Sequence, residues 1–241
     1  MKSLLIILAF ISNITYANCD NMIPYGYPTT PVKNTTSLCR IAYTVLHDND
    51  RKVAVYSAEL LLPNIESSTA RVNAFKPDPD LLVSDRSTLN DYRNSKYDRG
   101  HLTPFEDASN NSASALQTFY LSNVVPQNLY LNRSIWHTLE NYTRTWANNS
   151  KNGVYVITGP VFAGKIKTIG NKVSVPTSMF KVIIDKDTNR GIGYMIPNID
   201  PKQTKLDQYK VSISTIEKAT KINFTPNKNN LNKRIISDQF K

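Results

Sequence analysis

Tyr97-Asp98-Arg99-Gly100-His101-Leu102, then Leu121-Ser122-Asn123-Val124-Val125-Pro126-Gln127-Asn128, then a periodic apolar run over residues 132–146: on these three pieces the reading of the fold turns. At ~100° per residue the last piece sorts into helix faces. Leu131, Ile135, Leu139, Tyr142 and Trp146 form an apolar stripe. Beside it the i, i+4 row Asn132, Trp136, Glu140, Arg144 puts an amide, a carboxylate and a guanidinium on one flank, with Trp136 turned to the core. Residues 97–102 read as a charged, turn-like stretch in which a flexible Gly100 lets His101 project into a groove, with Asp98 bonding backbone near the turn. Taken alone, such a histidine is more often a satisfied surface group.

Working outward, residues 41–46 and 53–62 are β-branched and aromatic runs around a His47-Asp48-Asn49-Asp50 turn, and so predict a hairpin. Residues 154–158, 179–184 and 192–196 are further strands. A second helix is predicted from Ser214, with Glu217 at capping-box spacing, to about Lys221. Strands, then helices, then strands give an α+β class: a central, mainly antiparallel sheet with flanking helices. With 241 residues and 40% hydrophobic content, one core and a single domain over residues 41–225 are expected. Residues 18–40, rich in Pro, Asn and Thr, read as an irregular lead-in, and the Asn- and Lys-rich residues 226–241 as a mobile tail.

Residues 1–17 carry Lys2, an apolar run over 4–11 and a Thr15-Tyr16-Ala17 ending, the pattern of a secretory leader. The run is far short of the ~20 residues that span a bilayer, and no later stretch is long enough, so no membrane association is expected. Lipid attachment at Cys19 is disfavoured by the bulk of Asn18. Cys19 and Cys39, the two cysteines of an exported chain, are expected to pair. Neither zinc-ligand spacing nor a base-reading module is apparent. Lys plus Arg number 29 against 19 Asp plus Glu, a net charge of +10 that attracts polyanions without specifying a chemistry.

The quoted segments, with Trp136, Leu139 and Glu140, resemble the DNA/RNA non-specific endonuclease family, whose active site is a ββα-metal motif. There a DRGH sequence supplies a histidine base, and an SN-x-x-PQ stretch leads to a metal-binding Asn and a W-x-x-LE helix. Arg71 with Phe75 and Asp78 resembles the family's upstream R-x-x-x-F segment. Residues 156–162, and 175–177 with Phe180-Lys181, resemble its downstream strands, so the likeness covers roughly residues 40–225.

The resemblance implies an enzyme that hydrolyses DNA and RNA without sequence preference and leaves 5′-phosphate ends. His101 is the general base, a fitting role for an imidazole with a pKa near ~6.5. Asn132 offers a neutral oxygen to Mg²⁺, with Mn²⁺ as the alternative ion. Glu140 is placed to hold the metal's waters. Arg71 and Arg144 serve as transition-state cations, and Arg99 supports either fold or substrate backbone. Asn123 either orients the site or fixes the loop after a strand, while His47 and His137 read as poor ligands. The sequons Asn132-Arg133-Ser134 and Asn141-Tyr142-Thr143 reflect an Asn-rich composition, since sugar on Asn132 would block the metal. Export by a bacterium, to periplasm or medium, is the setting expected. Homodimerisation and any protein inhibitor are left open. The rivals are a catalytically silent nucleic-acid-binding protein on the same fold and a basic secreted adhesin or toxin.

Overall fold

The computed structural model describes residues 19–66, 68–201 and 205–227. The leader reading of residues 1–17, and the tail reading beyond residue 227, lie outside them. In chain order the strands are β1 (Thr35–Cys39), β2 (Thr44–Asp48), β3 (Val53–Leu61), β4 (Tyr97–His101), β5 (Val124–Asn128), β6 (Val154–Val161), β7 (Lys167–Ile169), β8 (Val173–Val175), β9 (Ser178–Asp185), β10 (Gly191–Pro197) and β11 (Lys210–Val211). Seven of them make one sheet in the order β1-β2-β3-β6-β9-β10-β11, every neighbouring pair antiparallel. β4 with β5 and β7 with β8 form two small antiparallel sheets. The helices are α1 (Leu89–Tyr92), α2 (Ser112–Gln117), α3 (Leu129–Leu131), α4 (His137–Asn149) and α5 (Ile213–Thr220). This is the α+β architecture expected.

Strand side chains alternate between faces, so each central strand feeds two cores. Val154 and Val156 of β6, with Met179 and Ile183 of β9, pack on one side with Trp136 and Leu139. Tyr155 and Ile157, with Phe180 and Val182, pack on the other with Ile213 and Ile216 of α5 and with Ile23 and Tyr25 of the N-terminal chain. The first face holds a polar row too. Ser57 pairs with Thr158, and Thr158 with Lys181, straight across β3, β6 and β9.

The helical run on that face begins at residue 129, three residues earlier than the periodicity indicates. Asn128 caps it, its Oδ1 accepting from the backbone N–H of Tyr130 at 2.9 Å and of Leu131 at 3.3 Å. Between α3 and α4 lies a π-helical turn, Asn132–Trp136. Tyr142 leaves the expected stripe and is exposed; Thr143 takes the buried place, its hydroxyl satisfied by the Leu139 carbonyl at 2.8 Å.

Other boundaries move for local reasons. The segment expected to be irregular holds edge strand β1, which pairs with β2, and Cys19 and Cys39 form a disulfide with Cα atoms 5.8 Å apart. The expected turn at residues 47–50 shifts onward because His47 is buried, Nε2 lying 3.0 Å from the Asp85 carbonyl, and Asp48 Oδ1 accepts from the N–H groups of Asp50 and Arg51. Ser212, not Ser214, caps α5, its hydroxyl accepting from the Thr215 N–H at 3.1 Å.

Candidate active site

The stretch read as a turn is strand β4. Its register against β5 runs from Tyr97 opposite Asn128 to His101 opposite Val124, and α3 follows β5 directly, giving a ββα unit. Gly100 is not there for flexibility. A Cβ at that position would sit 1.9 Å from Gln127 Oε1 and 2.6 Å from Gln127 Cβ, so glycine allows the cross-strand side chain to pack.

The unit opens onto a cavity of about 420 Å³. Among its walls are five of the residues singled out from sequence: Arg71, Arg99, His101, Asn132 and Glu140. His101 is buried between Phe75 and Phe119, ring centroids 5.0 and 5.2 Å away. Burial, and then the charges of Arg71 and Arg99, bring its pKa down to about 3, so the imidazole rests neutral. Nε2 is enclosed and has no hydrogen-bond partner among the described residues. Arg99 lies with its guanidinium carbon 4.4 Å from the Phe75 ring centre. Arg71 pairs with Glu106 at 2.6 Å, both exposed enough to exchange partners. Asp78, further along the same segment, is buried against Arg40 at 2.7 Å and accepts from the Ser122 hydroxyl, which fixes the approach to β5.

Asn132 is oriented by a residue assigned a different task from sequence. Among the described residues Asp98 bonds no turn backbone; its Oδ2 accepts from Asn132 Nδ2 at 3.0 Å, and its two oxygens accept from Arg133 Nε and Nη2 at 2.8 Å each. Burial raises the Asp98 carboxyl, but the Arg133 and Asn132 hydrogen bonds outweigh it and hold the pKa below the usual range. The Asn132 Oδ1 receives no donor among the described residues.

Glu140 is buried on α4, and its carboxyl is pushed up to about 7, first by burial and then by Asp107, against the pull of Lys181 and Arg144. Behind it lies the polar row of the sheet. Lys181 is fully buried, donates from Nζ to Thr158 Oγ1 at 2.7 Å and sits 5.5 Å from the Trp136 ring centre. Burial pulls that ammonium below its ordinary pKa, while Glu140, Glu59 and Asp107 oppose the fall.

Two singled-out residues are not on the main cavity. Asn123 is buried in the loop framework: Oδ1 accepts from the Thr103 N–H at 3.0 Å, and Nδ2 donates to the Thr103 and Thr118 carbonyls at 2.8 and 3.0 Å. Arg144 is held by Asp107 at 2.7 Å and by Asn141 at 2.5 Å, and lines a smaller cavity shared with Glu106. Conversely Asp98, Glu106, Arg133 and His137 reach the main cavity without having been singled out for it. Asp98 and Arg133 stand one residue from Arg99 and Asn132, and that adjacency was the available signal. Nothing in sequence marked Glu106.

Comparison with known proteins gives the family and the fold. The model of the DNA/RNA non-specific endonuclease family matches residues 20–231. Nuclease C1 of Cunninghamella echinulata var. echinulata is 34% identical over 227 residues, 86% of this chain and 88% of the relative. Mitochondrial endonuclease G of Homo sapiens is 33% identical over 205 residues, 78% of this chain and 69% of the relative. A solved EndoG/EndoGI complex, described by its mechanism of EndoG inhibition, superposes with a TM-score of 0.77 at 28% identity, covering 89% of this chain and 94% of that one.

Proposed function

Because this chain belongs to the DNA/RNA non-specific endonuclease family, we propose that it cuts both DNA and RNA, with His101 as general base and Asn132 as the protein ligand of a divalent cation, leaving 5′-phosphate ends. The observation that carries this reading is the shared cavity: a neutral imidazole and a primary amide with an unengaged oxygen open onto one space, with Arg71 and Arg99 in its wall.

The donor set fits Mg²⁺, with Mn²⁺ as the alternative. Asp98 occupies the Asn132 nitrogen and leaves the neutral oxygen to a hard cation that keeps most of its waters. Among the described residues no group of three or more His, Cys, Asp or Glu offers a closed cage. When bound, such a cation supplies charge neutralisation at the phosphate and acidity for the leaving oxygen.

The chain's own groups do the rest. With Nε2 enclosed, His101 takes the proton of the attacking water on Nδ1. Arg99 and Arg71 pair with phosphate oxygens, and the substrate displaces Glu106 from Arg71. Glu140 hydrogen-bonds the water network at the helix flank. Arg144, anchored by Asp107, adds positive charge from behind, and Asn123 fixes the loop that carries His101. The Cys19–Cys39 disulfide supports export, to periplasm or medium. Among the described residues no helix is long and apolar enough to cross a membrane.

Digestion of plasmid and of RNA with Mg²⁺, with EDTA, and by His101→Ala tests the reading. Loss of at least ~100-fold is expected from the variant and complete loss from chelation. Undiminished cutting by the variant rejects His101, and cutting in EDTA rejects the cation.

A further inference from the structure

Beside the active-site cavity lies a second one of about 530 Å³, and Arg133 belongs to the wall of both. Leu129, Tyr130, Ile135 and Pro201 give it an apolar lining, and Asp200 adds an anion. Tyr130 is 57% exposed, two residues before Asn132 in the chain. Its backbone is pinned: the N–H donates to Asn128 Oδ1 at 2.9 Å, and the carbonyl accepts from the Ser134 hydroxyl at 2.5 Å. The shared wall is pinned too, because Asp98 holds Arg133 through Nε and Nη2.

A phosphate would find little welcome here, since the one cation of this lining is already bonded to Asp98 and an anion stands in the same lining. A flat, largely apolar group with a few polar edges fits the apolar walls and the exposed phenol ring. Continuity with the neighbouring cavity says where such a group comes from: a nucleotide adjoining the scissile phosphate.

We infer that this second cavity is a base-binding subsite, in which an unpaired base next to the cleaved bond stacks on Tyr130 while its sugar–phosphate passes Arg133. The inference rests on the nuclease reading and deepens it. A base can enter only when it is not paired and stacked in a duplex, so the subsite favours single strands, whether DNA or RNA. Stacking is tolerant of sequence, because every base has a π-face.

The test compares wild type, Tyr130→Ala and Tyr130→Phe in the full chain. Steady-state cleavage with Mg²⁺ is measured on an unstructured single-stranded oligonucleotide and on a duplex of the same length. For Tyr130→Ala the ratio of single-strand to duplex kcat/KM is expected to fall roughly 5- to 100-fold, mainly through KM, and Tyr130→Phe to restore it. Binding is read separately with a 2-aminopurine oligonucleotide on the His101→Ala chain, where quenching is expected and should disappear on adding Tyr130→Ala. An unchanged cleavage ratio, or quenching indifferent to Tyr130, overturns the subsite. Tyr130-dependent quenching in a wild-type chain that cuts nothing would keep the subsite and remove the nuclease reading; cutting with no Tyr130 dependence would do the reverse.

Discussion

Asp98 Oδ2 accepts from Asn132 Nδ2 at 3.0 Å, so the strand that carries the imidazole also aims the amide. Without that acceptor the amide is free to turn its nitrogen into the cavity. Asp98→Ala is expected to weaken metal affinity or activity by ~10- to 100-fold, the usual scale for outer-shell partners, and Asp98→Asn to do less because it keeps an acceptor oxygen. A Mg²⁺ titration of plasmid cleavage reads this directly. An unchanged half-saturating concentration would show that Asn132 needs no such guide.

Gly100 and Gln127 share one volume. Gly100→Ala drives its methyl into the Gln127 side chain and should cost ~1–3 kcal/mol, as overpacking does, with lower activity because His101 follows directly. Gln127→Ala alone leaves a gap, but combined with Gly100→Ala it should recover part of the loss. The check is a double-mutant cycle in urea unfolding; strictly additive losses would contradict the packing account.

How much of this was legible in the chain differs by residue. The helix row from Asn132 to Glu140 was readable because a 3.6-residue period is a property of the sequence itself. The strand nature of residues 97–101 was not, since a charged, glycine-containing pentapeptide becomes a strand only by pairing with residues 124–128 across the intervening loop. The Asp98–Asn132 bond spans 34 positions, and residue order does not announce such contacts. Lys181 entered the sequence reading only as part of a downstream strand, although its alternation with Met179 and Ile183 puts it on the inner face of β9. The large sheet and its antiparallel character came through because β-branched runs separated by turn residues carry that information locally.

The Glu140 carboxyl, pushed up to about 7 by burial in the first place, lies above its unfolded value of ~4.3. The fold therefore favours the protonated form. That contribution is complete below pH ~4.3 and is lost as the pH rises through about 7. Glu140→Gln stays neutral throughout, so its thermal midpoint in EDTA should gain on the wild type between pH 5 and 8.5, by the equivalent of a few kcal/mol (order of magnitude), while cutting falls. Parallel midpoint curves for the two proteins would refute the raised pKa.

The Cys19–Cys39 bond ties the start of the described chain to the end of β1. Replacing both cysteines by Ser should cost ~2–4 kcal/mol and lower Tm by roughly 5–15 °C. Scanning calorimetry of the double variant beside the oxidised and reduced wild type measures it. Agreement of all three would mean the crosslink contributes nothing to stability.

Asn132 and Glu140 stand eight residues apart, which in an unbroken α-helix leaves them ~80° apart around the axis. Each residue of the π-helical turn Asn132–Trp136 advances by less, so the offset narrows and both side chains reach the same cavity. Their alignment is therefore written in the winding of that turn and not only in their identities. Relaxing that turn to ordinary α-helix at the same residue count would restore the ~80° offset and carry the amide away from Glu140, with α4 still seated on the sheet. A chain altered in that way would keep the DRGH and PQ signatures and be scored by motif as a working enzyme, yet be inert.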